Sequence, residues 1–287
     1  MSYKLIKYRN LDFFQEINTE EKAYWLGFIC ADGNIHKKQN LLQIRLSSED
    51  EGHLKKLGNI FGRKLYRQKV VSKKGKICES VILGVCNKKV KNGLMKNGVY
   101  PDKTILDNIK SLNHVPDILM NHFVRGYFDG DGCISSSKTK SGKRNYCLSI
   151  AGGCNFLKEL KELIINKIGV SNNKDIETET YKVLRWSGRE QINLIAQWMY
   201  KGSTVYLERK KEKFNKFYKD INKRGSSDFR GIAWHKTNQK WLASISYKKK
   251  RINLGYYKDE IEAALAYDRA VIKYDKPIYK LNFSGVG

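Results

Sequence analysis

The sequence lacks the features of a secreted, zinc-binding or membrane-spanning protein. It has no CxxC pair, and its six cysteines mostly lie within apolar stretches, which favours reduced core thiols over a disulfide framework or a zinc site. The first residues, MSYKLIKYRN, are not a signal peptide. No apolar stretch approaches the roughly 20 residues needed to cross a bilayer. We therefore expect an intracellular protein of the cytoplasm or nucleoid, without a membrane partner.

Acidic residues are scarce. The sequence has 29 of them and 55 lysines and arginines, so its formal net charge is +26. The excess is spread along the chain, since 12 basic and 6 acidic residues follow position 227, a net +6, which leaves +20 for residues 1–227. A folded chain with this charge typically faces a polyanion, of which nucleic acid is the commonest. A compositional bias towards lysine and asparagine is the alternative.

The chain contains an internal repeat. The string WLGFICADG covers residues 25–33, and VRGYFDGDG covers residues 124–132. Each string is followed by an alternating run and then by a helix-like run that ends in glycine, at Gly62 or Gly169, and the second copy is eight residues longer. Periodicity and breakers predict the order helix, strand, strand, helix, strand, helix for each half. Two such copies indicate a pseudo-dimer within one chain.

Each string carries small residues four places apart on its predicted helix. These are Gly27 with Ala31, and Gly126 with Gly130. Small residues on one stripe allow another backbone to approach closely, so we expect the two helices to cross on the pseudo-two-fold axis. We also expect Asn18 to cap the first helix, and Pro116 and Asp117 to lie in the first turn of the second.

Two acids, Asp32 and Asp131, end the predicted helices and would then lie side by side. The glycines that follow, Gly33 and Gly132, are expected to end the helices in the left-handed conformation. Two carboxylates at two helix C-termini make a negative site suited to hard divalent cations, Mg²⁺ or Mn²⁺, that could support phosphodiester hydrolysis. The five histidines are too scattered for a histidine-metal nuclease. The alternative is that the acids only cap turns in a protein that binds without cutting.

Both strings resemble the LAGLIDADG motif of homing endonucleases, and the double copy resembles the single-chain members over roughly residues 20–210. The resemblance implies two αββαββα halves with saddle-shaped antiparallel sheets that cut both DNA strands across the minor groove. The eighth motif position, a catalytic metal-binding acid in that family, is Asp32 or Asp131. The seventh, whose carbonyl often joins the metal shell, is Ala31 or Gly130. One departure is the sixth position, which is Cys30 in the first copy and Asp129 in the second.

A cation near the scissile phosphate would assist catalysis. The candidates weighed for this role and for positioning water are Lys103, Arg209, Lys210, Gln43 and Ser48. A solvated or phosphate-binding side chain is the alternative for each of them. We retain Lys103 as the catalytic candidate.

The C-terminal segment alternates in three strand-like runs, FRGIAWH, KWLASISY and RINLGYY, and continues in a helical pattern, EAALAYDRAVIK. Residues 228–284 resemble the Apetala-two/ERF DNA-binding domain, whose exposed sheet face lies in the major groove. Several family arginines are replaced here, at Ala233, Ser244 and Ser246, so the family's base preference does not carry over. A sheet used for protein contact is the alternative. By position the resemblance implies these DNA contacts: Arg230, Trp234, Lys236, Ser244, Ser246, Arg251 and Asn253.

The sequence therefore predicts an α+β protein whose four segments are a first half, 1–112; a second half, 113–222; a linker, 223–227; and a small sheet domain, 228–284. We expect a monomeric, metal-dependent, site-specific endonuclease of double-stranded DNA that acts as a pseudo-dimer. The chain begins with Met1 and ends in Gly287 without the terminal residues of splicing, so we do not expect a complete intein. The alternatives are a non-catalytic DNA-binding regulator and an intron RNA maturase.

Overall fold

The protein forms two compact units, residues 1–214 and 215–287. The computed structural model describes residues 8–71, 77–101, 109–138, 144–171, 175–177, 181–222, 227, 229–248, 250–277 and 280–283. The larger unit holds two halves with the same order of elements, and the smaller unit is a three-stranded sheet with a helix. The predicted mixed α+β class with antiparallel sheets is confirmed.

The first half is built as αββαββα around one antiparallel sheet. Its strands lie in the order β1-β2-β4-β3. The elements are α1 Glu20–Asp32, β1 Gly33–Ile35, β2 Leu41–Ser47, α2 Glu51–Phe61, β3 Tyr66–Val71, β4 Ile77–Cys86 and α3 Lys88–Lys96.

The second half repeats this order and adds one helix. Its sheet has the order β5-β6-β8-β7. The elements are α4 Met120–Asp131, β5 Gly132–Lys138, β6 Arg144–Gly153, α5 Cys154–Ile168, β7 Ile176–Glu177, β8 Tyr181–Ser187, α6 Arg189–Tyr200 and α7 Glu208–Asn222. A short 3-10 turn, Asp117–Leu119, leads into α4.

Periodicity alone missed one strand in each half, β3 and β7. Both are edge strands, each hydrogen-bonded to a single neighbour. The β3 sequence, YRQKVV, is largely polar on its exposed positions, and β7 has two residues. Edge strands bury less apolar surface than central ones, so their hydrophobic alternation is weak. The strand count implied by the family resemblance is the correct one.

Alternation in the central strands positions each sheet against helices. In β2, Leu42, Ile44 and Leu46 are buried, whereas Arg45 between them is exposed. Helix α1 has no such polar face, because every residue from 23 to 30 is buried. A helix that is buried on all sides belongs to the centre of a domain. Each large apolar side chain buried there contributes about 1.5–3 kcal/mol to stability.

The start of α1 differs from the expectation by one residue. The N-cap is Thr19, whose side-chain oxygen accepts a hydrogen bond from the backbone N of Lys22 at 3.3 Å. Asn18 instead accepts from the Lys22 ammonium at 2.8 Å. The Asn18 prediction was wrong because both residue types cap helices well, and sequence pattern does not separate adjacent candidates.

The cysteines are less uniformly buried than their apolar surroundings suggest. None of the five with described side chains forms a disulfide. Cys30 and Cys154 are buried, but Cys86 and Cys133 are exposed. The exposed pair lie on strands, where every second residue faces away from the core whatever its neighbours are. The side chain of Cys78 lies outside the described residues.

The smaller unit has strands β9 Ile232–His235, β10 Lys240–Tyr247 and β11 Lys250–Tyr257, followed by α8 Glu260–Lys273. The sheet order is β11-β10-β9, all antiparallel. Asp259 caps α8 by accepting from the backbone N of Ile261 at 2.8 Å and of Glu262 at 3.0 Å. Alanines on α8 let the helix lie close on the sheet over a small core. The predicted strands and helix of this segment are therefore present.

In the part of the chain that the structure describes, no helix is both long and apolar enough to cross a membrane.

Candidate active site

The two motifs form α1 and α4, which cross at their glycines. A Cβ placed on Gly27 would stand 2.9 Å from the carbonyl carbon of Phe123 and 3.0 Å from the backbone N of Tyr127. A Cβ placed on Gly126 would stand 2.9 Å from the carbonyl carbon of Tyr24. All of these neighbours are backbone atoms of the facing helix, so the crossing requires a residue without a side chain at both positions.

The crossing brings the C-terminal ends of the two helices together. Asp32 is the last residue of α1, and Asp131 is the last residue of α4. A Cβ placed on Gly130 would lie 3.2 Å from Oδ2 of Asp32, so the Asp32 carboxylate lies against the residue that precedes Asp131. Asp32 is half-buried and Asp131 is exposed. Two carboxylates at two converging negative helix ends favour a cation.

The glycines after the two acids are not in the left-handed conformation, and that expectation was wrong. Gly33 has φ −77° and Gly132 has φ −90°. The constraint is space instead, because a Cβ on Gly33 would stand 2.6 Å from Cγ2 of Ile29, and one on Gly132 would stand 2.6 Å from Cε2 of Phe128. In each half, the backbone turns from helix into strand at this glycine and packs directly against the last turn of the same helix.

The protein ligands available here suit Mg²⁺ or Mn²⁺ better than they suit a metal ion that is bound by protein side chains alone. Among the described residues, no three or more histidine, cysteine or acidic side chains are grouped to hold a metal ion. Mg²⁺ is commonly bound by one or two carboxylates together with waters and substrate phosphates. Gly130 lets the two helix ends approach closely, because a Cβ there would overlap the Cβ of Ala31 and stand 3.2 Å from Oδ2 of Asp32. Asp32 and Asp131 therefore suit such an ion, with the carbonyls of Ala31 and Gly130 as the further expected ligands.

A third acid, Asp129, lies two residues before Asp131 in the last turn of α4 and is completely buried. Its carboxylate accepts hydrogen bonds from the hydroxyl of Tyr24 at 2.8 Å, from the backbone N of Leu207 at 2.7 Å and from the hydroxyl of Tyr200. Burial raises the pKa of Asp129 to about 6, while these three hydrogen bonds and the charge of Lys210 act in the opposite direction. At neutral pH it is thus a buried anion. The equivalent residue of the first copy, Cys30, is also buried.

Lys210 supplies the cation at the end of α4. Its side chain is buried, and its ammonium donates to the carbonyls of Phe128 at 3.2 Å and of Gly132. Burial lowers the pKa of Lys210, and the nearby Asp129 carboxylate opposes that change. These carbonyls flank Asp131 in the chain, so a positive charge lies at the negative end of the helix that carries the acid.

The retained candidate Lys103 lies outside the described residues. A signal for Lys210 was present in the repeat, because Lys103 follows Asp32 by 71 residues and Lys210 follows Asp131 by 79, and the second copy is eight residues longer. The internal repeat therefore equates the two lysines. The sequence pattern nevertheless favours a solvated or phosphate-binding lysine at position 210, because a lysine in a basic amphipathic helix usually faces solvent.

Two of the other candidate side chains, Arg209 and Gln43, have identifiable partners. Arg209 donates from Nε to both carboxylate oxygens of the buried Asp50 at 2.9 Å, which ties the start of α7 to the first half. Gln43 donates to the hydroxyl of Tyr66 at 3.3 Å. Ser48 begins a 3-10 turn that ends at Asp50. None of these contacts points to the two acids.

In the smaller unit, four predicted DNA-contact residues share one sheet face. The strand register pairs Ser244 with Asn253 and Ser246 with Arg251, and paired residues project to the same side. Ser246, Arg251 and Asn253 are exposed, but Ser244 is buried. The Ser244 hydroxyl accepts hydrogen bonds from Nε and Nη2 of Arg251 at 3.0 Å and 2.9 Å. Ser244 therefore holds the guanidinium in place.

The remaining three predicted contacts lie elsewhere on this unit. Trp234 pairs with Trp241, whose ring lies 5.1 Å from its own and packs against the core under α8, so Trp234 is on the helix side of the sheet. Lys236 is exposed just beyond β9. Arg230 is half-buried before β9, and its backbone N donates to Asn282 at 2.6 Å. Trp234 therefore does not extend the exposed face, whereas the DNA contacts of Arg230 and Lys236 stay predictions.

Comparison with known families gives one match to a family model. Residues 119–222 match the model described as a LAGLIDADG-like domain. This range contains the second half described above, from the turn before α4 to the end of α7. The match to this family model therefore covers about a third of the chain.

Similar curated proteins and solved structures were also found. APETALA2-like protein 2 of Oryza sativa, in both the indica and japonica subspecies, is 48% identical over 54 residues, which is 18% of this chain and 12% of the length of each relative. The meganuclease I-SmaMI bound to uncleaveable DNA is 13% identical, with a TM-score of 0.48 over 70% of this chain and 90% of that one. I-GzeII, a LAGLIDADG homing endonuclease in complex with its DNA target, is 13% identical, with a TM-score of 0.46 over the same shares.

Proposed function

We propose that this chain is a site-specific endonuclease that hydrolyses both strands of double-stranded DNA with a divalent metal ion. The observation that carries the proposal is the convergence of α1 and α4, which brings the carboxylate of Asp32 against the residue preceding Asp131. Two acids at negative helix ends are a poor arrangement for stability alone. They are a suitable one for a cation that a phosphodiester then approaches.

In this proposal Asp32 and Asp131 would hold Mg²⁺ or Mn²⁺ at the place where the scissile phosphate binds. A bound ion of this kind activates water and neutralises charge on the attacking and leaving oxygens. Without a bound cation, the two carboxylates would repel the negatively charged phosphate. Lys210 keeps the last turn of α4 intact beneath Asp131 by binding the carbonyls on either side of it. We retain Lys103 as the corresponding cation of the first half.

The sheets supply a surface for DNA. In each half one side of the sheet packs on helices, and the other carries exposed polar residues, including Arg45 on β2 and Arg185 on β8. The net charge of +26 gives the chain strong attraction to the phosphate backbone. Base selection would come from side chains on these outer faces.

The smaller unit would extend the grip on flanking duplex, as an Apetala-two/ERF-type domain at residues 228–284 joined by a linker at 223–227. Its exposed face carries Arg251, which Ser244 holds, beside Asn253 and Ser246. Tethering raises the effective concentration of the second contact, so two modest affinities give a long and selective site. A monomer whose two halves act as a pseudo-dimer would be sufficient to cut both DNA strands.

The test is Mg²⁺-dependent cleavage of a randomised DNA library by the wild type, with Asp32→Asn and Asp131→Asn. Each substitution removes a metal-binding charge with little change in shape. We expect DNA binding to survive and the cleavage rate to fall at least about a hundredfold, because the charge stabilisation that a metal supplies is worth several kcal/mol. Asp117→Asn is the matched control, since its side chain is 75% exposed and its ion pair with Lys167 is at the surface.

The outcomes separate the alternatives. Cleavage that is unchanged by both substitutions would eliminate the proposed centre. Sequence-selective binding without cleavage, in Mg²⁺ and in Mn²⁺, would favour a non-catalytic regulator. Preference for a structured intron RNA over duplex DNA would favour a maturase.

A further inference from the structure

The buried carboxylate of Asp129 is held in place by hydrogen bonds at the helix interface. It lies two residues before Asp131 in the last turn of α4 and accepts three hydrogen bonds, from two tyrosine hydroxyls and the backbone N of Leu207. Hydrogen bonds to a buried charge are among the stronger ones and are costly to leave unmade. This set therefore fixes the Asp129 side chain, and with it the last turn of the helix.

The backbone N of Leu207 belongs to the start of another helix. Leu207 directly precedes α7, and its carbonyl accepts from the backbone N of Lys210 and of Lys211. A carboxylate at a helix N-terminus is favoured by the unpaired N–H groups and the positive end of the dipole. Asp129 of α4 thus caps α7.

Helix α7 returns the contact. The ammonium of Lys210, in the first turn of α7, binds the carbonyls of Phe128 and Gly132 at the end of α4. Each helix end therefore supplies the charge that the other end lacks. We call this pair of contacts, Asp129 on the α7 start and Lys210 on the α4 end, the reciprocal cap.

We propose that the reciprocal cap positions Asp131 for catalysis and that Asp129 is a positioning residue of the second half. The proposal rests on the proposed function. Asp131 lies in the chain between the two residues whose carbonyls Lys210 binds and is itself exposed, so Lys210 holds the backbone on both sides of a residue that faces solvent. Rigid support of this kind matters because a displacement of about 1 Å at a reacting group can cost about a hundredfold in rate.

The first half holds its acid differently. The motif position of Asp129 is Cys30 in α1, and a thiol does not provide the two charged oxygens that accept three hydrogen bonds. Removing the reciprocal cap should consequently disturb the Asp131 end of the site more than the Asp32 end. The rates of cleavage of the two DNA strands should then change unequally.

The test compares wild type, Asp129→Asn and Tyr200→Phe, with Cys30→Ser as the control at the equivalent position of the other motif. Asparagine keeps the shape but presents N–H groups to donors, and Tyr200→Phe removes one donor while keeping the carboxylate. We expect Asp129→Asn to bind DNA within about twofold of wild type but to cut about tenfold or more slowly under single-turnover conditions, with a changed ratio of strand rates. Tyr200→Phe should show a smaller change in the same direction.

A second readout does not depend on cleavage. The affinity of the protein for Mn²⁺ alone, followed by electron paramagnetic resonance, should fall several-fold in Asp129→Asn and stay unchanged in Cys30→Ser. Thermal unfolding of each variant sets an assay temperature at which all of them are folded. If Asp129→Asn does not fold, Tyr200→Phe carries the comparison.

The results distinguish this proposal from the proposed function. A wild type that cuts, an inactive Asp131→Asn and an Asp129→Asn that cuts with wild-type rates and Mn²⁺ affinity would overturn the positioning role alone. Equal slowing of both strands with unchanged Mn²⁺ affinity would show a merely structural role and overturn it as well. If the wild type cuts no DNA, the proposed function fails, and the Mn²⁺ affinities still decide whether Asp129 supports the metal-binding acids.

Discussion

The most direct consequence of the helix crossing is that a single methyl group should damage it. In Gly27→Ala the new Cβ would overlap the carbonyl oxygen of Phe123 and stand 2.9 Å from its carbonyl carbon. The obstructing atoms are backbone, so no side-chain rotation relieves the clash and the two helices must separate. Overpacking a core typically costs about 1–3 kcal/mol, and a backbone clash belongs at the upper end.

The magnitude follows from two opposing terms. Alanine is a better helix former than glycine by about 1 kcal/mol, so the net loss for Gly27→Ala is about 2 kcal/mol or more. For a unit of this size that corresponds to a fall in Tm of roughly 4–8 °C. Gly52→Ala is the matched control, because Gly52 is also in a helix and a Cβ there meets nothing within 4 Å. It should gain about 1 kcal/mol and raise Tm by roughly 2–4 °C.

The assay is thermal unfolding of the full chain by calorimetry, repeated in urea, together with Mg²⁺-dependent cleavage. The two alanine substitutions should shift Tm in opposite directions. Only Gly27→Ala should also slow cleavage, since moving the helices apart separates Asp32 from the end of α4. A Gly27→Ala protein as stable as Gly52→Ala would refute the close crossing, whatever its activity.

Two further predictions concern pH and salt. Burial, followed by the charges of Lys56 and Arg209, lowers the pKa of His53 to about 3. The unfolded chain takes up this proton near pH 6.5 while the folded chain does not, so the contribution of His53 is complete above about pH 6.5 and is lost as pH falls towards 3. Between pH 7 and pH 5 the free energy of unfolding of wild type should fall by about 2 kcal/mol more than that of His53→Gln, measured by urea titration; parallel curves would contradict the buried neutral imidazole. Truncation after residue 226 should weaken DNA binding and reduce the slope of log affinity against log salt, because fewer phosphate contacts release fewer counterions. An unaltered slope would remove the smaller unit from the DNA interface.

Much of the fold was readable from local pattern. The repeat of WLGFICADG and VRGYFDGDG, and the runs after each, predicted two halves with corresponding helices and central strands. The three alternating runs and the alanine-rich helix predicted the smaller unit. These succeed because hydrophobic alternation and small-residue stripes are properties of consecutive residues. The edge strands β3 and β7 escaped because they bury too little apolar surface to show a period.

The site was only partly readable. Asp32 and Asp131 stand out as acids at helix ends, where local electrostatics disfavours them. Asp129 and Lys210 are visible in the motif and in the repeat, but their roles are not, because those roles depend on contacts across about 80 residues of chain. A lysine in a basic helix looks solvated until its ammonium is found on the carbonyls of Phe128 and Gly132.

The amino-acid sequence alone establishes the duplication, the position of an acid at the end of each motif helix, and the excess of positive charge. What required the folded molecule is which backbone faces which glycine, why Gly33 and Gly132 are needed for space and not for a left-handed turn, and how α7 and α4 cap each other. The division has one cause. Periodicity and charge are carried by neighbours in sequence, whereas close packing and buried hydrogen bonds join residues that only tertiary structure brings together.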